Sequence, residues 1–281
     1  MPNNCNYLNE TFDISKEDLT SSWDEVCLWS SYFGAILLDT IKFLPIANIL
    51  DIGCGTGFPL LEIAQRFGEP SHITGIDPWA EAVNRLHYKA KAMNVNNYDI
   101  LVQKAEELPF KNGNFDIIVS NVGINNVEDP SKVISECSRV CKQKGQLVMT
   151  TNLPETMIEF YNVFRNVLNA SGLTKEISLL DKHISAKRMT LDENVALIQS
   201  GGFIINNIKA GSFKLRFLNG TAFLNHHFIK LAFLPSWKII VPPDLLETVF
   251  STIENNLNEL ALKDGELALT VPYACFDCIK P

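Results

Sequence analysis

Ile49-Leu-Asp-Ile-Gly-Cys-Gly-Thr-Gly-Phe58 decides how the chain folds. A short apolar run of the kind that forms a buried parallel strand meets glycines at 53, 55 and 57, and a helical pattern follows with Leu61, Ala64 and Phe67 on one face. A strand, a glycine-rich turn and a helix in that order form a ligand loop. Glycines leave the backbone open to a ligand and tolerate positive φ, while the amides at the start of the following helix face what binds there.

The spacing separates this loop from the dinucleotide fingerprint, which carries glycines at the first, third and sixth positions; the sixth position here is Phe58. NAD is therefore disfavoured. Asp51, just before the glycines, would repel a pyrophosphate and attract the ammonium of an amino-acid-like ligand such as S-adenosylmethionine. A second acid, Asp77, ends the next apolar run about twenty residues past the loop, where a carboxylate accepts ribose hydroxyls. Pro78 and Trp79 follow it, with the indole suited to lie against an adenine. Two further segments complete the pattern: Lys104-Ala-Glu-Glu-Leu-Pro-Phe110 and Phe115-Asp-Ile-Ile-Val-Ser-Asn121.

Together these four segments resemble the class I S-adenosylmethionine-dependent methyltransferases, most closely the type 11 group that contains the menaquinone and ubiquinone biosynthesis enzymes; the resemblance covers about residues 46–152. It implies an α/β fold with a doubly wound, Rossmann-like seven-stranded sheet, mostly parallel with an antiparallel last strand. It also implies that Asp51 and the loop of Gly53, Cys54, Gly55 and Gly57 hold the methionine part, and that Asp77 binds the ribose. By the same resemblance Ala105 and Glu106 border the adenine and Asn121 lines the floor near the reactive methyl. The family commonly has Asp before the Ala-Glu pair; this chain has Lys104.

Each feature also has a bland reading. A glycine turn is often only a tight connection, and a strand-ending Asp is often a turn or helix cap. The loop, the acid and the Ala-Glu-x-Leu-Pro-Phe segment at successive strand ends argue jointly against that reading. Cys54 reads as a small buried residue rather than an activated thiol.

With 281 residues and 46% apolar content, the chain can bury a large core as one elaborated domain. Residues 1–45 read as a helical cap, 46–152 as the cofactor core, 153–190 and 218–265 as helical insertions, and 203–217 and 266–281 as the final strands. Strands are expected at 47–53, 72–77, 98–104, 115–121 and 145–151, with a helix started by Asp129-Pro130 and ended by Gly145. Further helices are expected at 155–170 and 191–200 and a last strand at 267–271. No run of eighteen apolar residues occurs, and Met1-Pro-Asn-Asn-Cys-Asn6 has neither a basic region nor an apolar signal core, so a soluble cytoplasmic protein without a membrane partner is expected.

The net charge of −8 and the absence of a basic cluster weigh against nucleic acid as a partner. Seven scattered cysteines fit a reducing compartment, and no metal site is expected: Cys275 and Cys278 fall in a strand, three apart, and so face opposite ways. A sulfonium methyl is already activated, so the protein must align the acceptor and exclude water. Candidate cover residues are Trp23, Trp29 and Tyr32 in the N-terminal segment and Phe223 and Trp237 in the late insertion, although any one of them has an equal claim to an added helical core. His226 or His227 is the candidate base if the acceptor carries a proton, with His183 and Tyr161 weaker. The expected activity is methyl transfer to a small, partly apolar metabolite. The alternatives are a protein or RNA methyltransferase and a non-catalytic S-adenosylmethionine-binding partner subunit.

Overall fold

The computed structural model describes residues 5–13, 15–25 and 28–281, so residues 1–4, 14, 26 and 27 of the expected N-terminal cap lie outside the described residues. The elements, in order, are α1 (Glu17–Glu25), α2 (Leu28–Leu38), β1 (Asn48–Ile52), α3 (Leu60–Phe67), β2 (His72–Asp77), α4 (Ala80–Met93), β3 (Tyr98–Val102), β4 (Phe115–Asn121), α5 (Pro130–Val140) and β5 (Cys141–Asn152). The chain continues through α6 (Ile158–Ala170), α7 (Thr174–Lys187), α8 (Leu191–Ser200), β6 (Ile204–Phe217), α9 (Gly220–Asn225), α10 (His227–Ala232), α11 (Leu234–Lys238), α12 (Leu246–Asp264) and β7 (Leu267–Ile279).

The seven strands lie in the order β3-β2-β1-β4-β5-β7-β6. The pairs from β3 through β5 are parallel, and β7 runs antiparallel to β5 with Gln146 opposite Ile279 and Asn152 opposite Tyr273. The order reverses beside β1, and in an open parallel sheet that is the place where ligands bind, outside the strands' carboxyl ends.

The residues divide into two compact units, with the divisions falling inside β6 after Gly211 and inside β7 after Pro272. The larger comprises 14–153, 189–211 and 273–281. Its strand residues alternate between two cores, as the two-residue period of a strand requires. Leu50, Ile118, Leu147 and Phe276 pack with Val133 and Ile134 of α5 and Ile198 of α8, whereas Ile49, Ile117, Val148 and Cys275 pack with Leu37 of α2, Ile63 of α3 and Leu86 of α4. Both faces are therefore helix-covered. Cys275 and Cys278 belong to opposite cores and serve as small apolar filling.

Local chemistry sets the ends of these elements. Asp129 caps α5 by accepting the Lys132 amide at 3.0 Å, with Pro130 in the first turn. That helix stops at Val140 and not at Gly145, because Cys141 already pairs with Phe115 in β5. The register shifts before Ile117, and a Cβ on Gly145 would stand 2.6 Å from Cys141 Sγ, so this glycine accommodates a β-bulge. Likewise α6 begins three residues later than expected, at Ile158, since Met157 is left-handed (φ 57°) and its amide bonds to the Thr270 carbonyl at 2.6 Å.

The smaller unit comprises 1–13, 154–188 and 212–272. It is a helical assembly around Phe160, Phe164, Phe223, Trp237 and Phe250, all fully buried. From α12 it buries Val249, Phe250, Ile253 and Leu257 at helical spacing. No helix among the described residues is long and apolar enough to cross a membrane.

Candidate functional site

β1 delivers Asp51 to the topological switch point and then turns through the glycine loop. Gly53 has φ +78°, and a Cβ there would lie 2.9 Å from Gly123 Cα, so two backbones meet at a distance that only glycine allows. Gly55 has φ +49°, but a Cβ on it would meet nothing within 4 Å. Its open side is space that a ligand can use. Gly57 closes the turn by donating to the Cys54 carbonyl at 2.9 Å, and Cys54 is buried with its thiol pushed well above its ordinary pKa by burial and by Asp51 and Asp77. That thiol is packing material.

Phe58, at the position where a dinucleotide loop has its third glycine, is received by α2. A Cβ on Gly34 would sit 2.2 Å from the Phe58 ring, so the missing side chain at Gly34 makes room for the aromatic one.

Two carboxylates face the loop in different states. Asp51 is fully buried, and neither of its oxygens has a hydrogen-bond partner. Burial pushes its carboxyl up to about 8, and the nearby Asp77 charge adds to the effect. Asp77 is half-buried; its Oδ2 accepts the Gly55 amide and its Oδ1 the Trp79 amide, both at 2.9 Å. Desolvation still raises its pKa, against the lowering effect of those two amides. Each Asp77 oxygen keeps a lone pair, so the group can hold the loop and accept ligand hydroxyls together. An unpaired buried carboxylate is costly unless a cation arrives to meet it.

Trp79 lies half-buried at the start of α4, edge-on to Trp23 of α1 with ring centroids 5.8 Å apart, and Pro78 beside it is exposed. The contact is backed by Asp24, which pairs with Arg85 at 2.6 Å and Lys89 at 2.8 Å and also bonds to the Thr56 hydroxyl in the glycine loop. α1 is thereby tied to the loop and to α4. Sequence reasoning missed Asp24 and Thr56, whose sole signal was an acid beside a tryptophan.

Ala105 is buried after β3. The Glu106 carboxylate accepts the amides of Glu128 at 2.9 Å and Asp129 at 3.3 Å, so its side chain orders the turn before α5. Lys104, the departure from the family pattern, pairs with Glu128 at 2.6 Å on the surface. At the end of β4, Asn121 donates to the Ser30 carbonyl at 3.0 Å and accepts from Thr150 at 2.9 Å, which fixes its amide between α2 and β5. Trp29 packs on Phe33, with centroids 5.4 Å apart, and Tyr32 is exposed.

The larger unit thus brings together Asp51, the loop, Asp77, Trp79, Asn121 and the aromatic face of α1 and α2. The remaining sequence-predicted residues lie in the smaller unit. Phe223 and Trp237 are fully buried there among Phe160 and Phe233, the packing of an internal aromatic core. His226 sits between α9 and α10 with its ring against Phe217, and His227 opens α10 with its ring edge-on to Phe12. Desolvation, with a contribution from His227, lowers the His226 pKa and keeps its imidazole neutral.

Residues 50–149 match the family model described as a methyltransferase domain. The demethylmenaquinone methyltransferase of Listeria welshimeri is 30% identical over 141 residues, which are 48% of this chain and 60% of that relative's length. The chain thus spans about three fifths of that relative. Among solved structures, the YcgJ protein of Bacillus subtilis superposes with a TM-score of 0.60 at 17% identity, over 89% of this chain and 98% of that one. The geranyl diphosphate C-methyltransferase of Streptomyces coelicolor, solved with S-adenosyl-L-homocysteine, superposes with a TM-score of 0.53 at 16% identity, over 89% and 76%. At such identities the superpositions establish the fold.

Proposed function

We propose that this chain is a class I S-adenosylmethionine-dependent methyltransferase similar to the demethylmenaquinone methyltransferases, and that it transfers a methyl group to a small, partly apolar metabolite. The observation that carries the reading is Asp51: a buried carboxylate with two unpartnered oxygens, beside a loop left open at Gly55. An α-ammonium is the cation that such a site fits. Asp77 supplies acceptors for the two ribose hydroxyls, and Trp79, Ala105 and Glu106 are the proposed adenine border.

When bound, the cofactor supplies a methyl group on a sulfonium, already activated toward displacement. The protein's share is alignment and dryness. Asn121, its amide locked by Ser30 and Thr150, gives a fixed polar floor at the end of β4. We assign Trp23, Trp29 and Tyr32 as acceptor contacts, whereas Phe223 and Trp237, fully buried in the smaller unit's aromatic core, serve as packing. His226 is the proposed base for a proton-bearing acceptor, with His227 second, because a neutral imidazole can take a proton at pH 7. We further propose that the two units act as one elaborated methyltransferase domain working in the cytoplasm.

A metabolite is favoured over nucleic acid by the formal charge of −8, which opposes a polyanion. The two structure and sequence relatives named for their substrates also act on small molecules. The test is release of S-adenosylhomocysteine by the full chain. Product formed with a small-molecule extract, and not with protein or RNA, supports the proposal. Turnover on protein or RNA replaces it, and binding without turnover on any of the three makes the chain a cofactor-binding subunit.

A further inference from the structure

Arg188, directly after α7, is a buried guanidinium, 6% exposed. Its Nη2 donates to the Tyr161 hydroxyl at 3.3 Å and its carbon stands 5.3 Å from the centroid of the Tyr161 ring, while Nη1 has no hydrogen-bond partner. A guanidinium has donors only, and its hydrogen-bonding neighbour here is a phenol, not a carboxylate. Such a group is strongly unfavourable in a protein interior until an anion meets it.

The Tyr161 hydroxyl points to the same conclusion by a separate count. It accepts from Trp237 Nε1 at 3.1 Å as well as from Arg188, which uses both of its lone pairs. Its own hydrogen remains to be donated. Two adjacent donors, Nη1–H and Oη–H, therefore stand without an acceptor among the described residues, next to an apolar wall in which Trp237 lies 4.1 Å from Phe160 between ring centroids.

We propose that Arg188 and Tyr161 form a carboxylate-binding subsite within the smaller unit. A carboxylate is favoured over a phosphate because the subsite has one positive charge to offer. Four other cations of the same unit are paired with acids: Arg165 with Asp181, Lys214 with Glu159, Arg216 with Glu266 and Lys230 with Glu10. A carboxylate has two oxygens for two donors.

The test uses the full chain labelled with nitrogen-15 arginine and observes the side-chain N–H resonance of Arg188, assigned by its loss in Arg188→Lys. Sodium acetate is titrated at ionic strength held constant with chloride. A saturable shift of the Arg188 resonance with acetate, weakened about threefold or more in Tyr161→Phe, is the expected result. Variant folding is checked by thermal melts, and if Arg188→Lys does not fold, the resonance is assigned by its displacement in Tyr161→Phe. Acetate acting no differently from chloride overturns the subsite and leaves the guanidinium to bound water. Inorganic phosphate saturating the shift at about tenfold lower concentration than acetate overturns the carboxylate assignment. None of these readings involves methyl transfer. An acetate-binding chain that releases no S-adenosylhomocysteine retains the subsite and loses the function.

Discussion

Asp77 Oδ2 accepts the Gly55 amide at 2.9 Å, so the acid that ends β2 also holds the middle of the glycine loop. Its other oxygen holds the Trp79 amide at the same distance. One carboxylate thus orders both the glycine loop and the start of α4. Asp77→Ala removes these bonds together with the proposed ribose acceptors, and S-adenosylmethionine affinity should fall by about 1 to 3 kcal/mol, the scale of hydrogen bonds to a charged group. Calorimetry on a folded variant checks this. Unchanged affinity would remove Asp77 from the site.

Asp51 predicts a pH dependence with a definite sign. Its pKa is raised from an ordinary 3.8 to about 8, so between these values the folded protein keeps a proton that the unfolded chain has lost. Stability then falls as pH rises through that window and levels off above it. The raised Asp77 pKa acts in the same direction. Urea melts from pH 4 to 8 should show the decline, and Asp51→Asn should flatten it without abolishing it. Binding of an ammonium-bearing ligand favours the ionised form, so at pH 7 calorimetry in buffers of differing ionisation enthalpy should record net proton release, lost in Asp51→Asn. Proton uptake instead would contradict the placement of the ammonium at Asp51.

Gly55→Val should separate binding from folding. A side chain at Gly55 meets no protein atom within 4 Å, and the left-handed φ of +49° costs only about 1–2 kcal/mol. The variant should melt a few degrees lower and lose cofactor binding. Gly53→Ala should destabilise more, since its Cβ would press on Gly123 Cα at 2.9 Å. Normal binding by Gly55→Val would reduce the loop to a structural turn.

How much of this was legible in the sequence depends on how local each signal is. Ile49 to Phe58 and Asp77 could be read because a strand, a tight turn and a strand-ending acid are each written in a few neighbouring residues. Asp24 could not, since its partners Thr56, Arg85 and Lys89 lie far along the chain and an acid on a short helix looks like any surface acid. Gly145 was misread as a helix stop because a bulge and a C-cap both call for glycine, and only the pairing of Cys141 with Phe115 distinguishes them. Arg188 carried no signal, because a charged residue just past the end of a helix of mixed polarity looks like any surface cation.

The Asp24 cluster predicts a role for α1 in holding the loop. Its carboxyl lies below the ordinary range because the bonds from Lys89, Thr56 and Arg85 outweigh the opposing effect of burial. Asp24→Ala leaves two partly buried cations and a loop hydroxyl without their acceptor, and should lower stability by about 1–3 kcal/mol. Hydrogen exchange should quicken in 17–25 and in the glycine loop, and cofactor affinity should drop several-fold. Unchanged exchange in the loop would confine the cluster to surface pairing.

The central claim is that Asp51, the glycine loop and Asp77 form a site for an adenosyl amino acid. Calorimetric titration of the full chain with S-adenosylhomocysteine, beside NAD under the same conditions, tests it most directly. Saturable one-site binding of S-adenosylhomocysteine, at least about tenfold tighter than NAD, is the predicted result. Tighter binding of NAD, or no binding of S-adenosylhomocysteine by the folded protein, would contradict it.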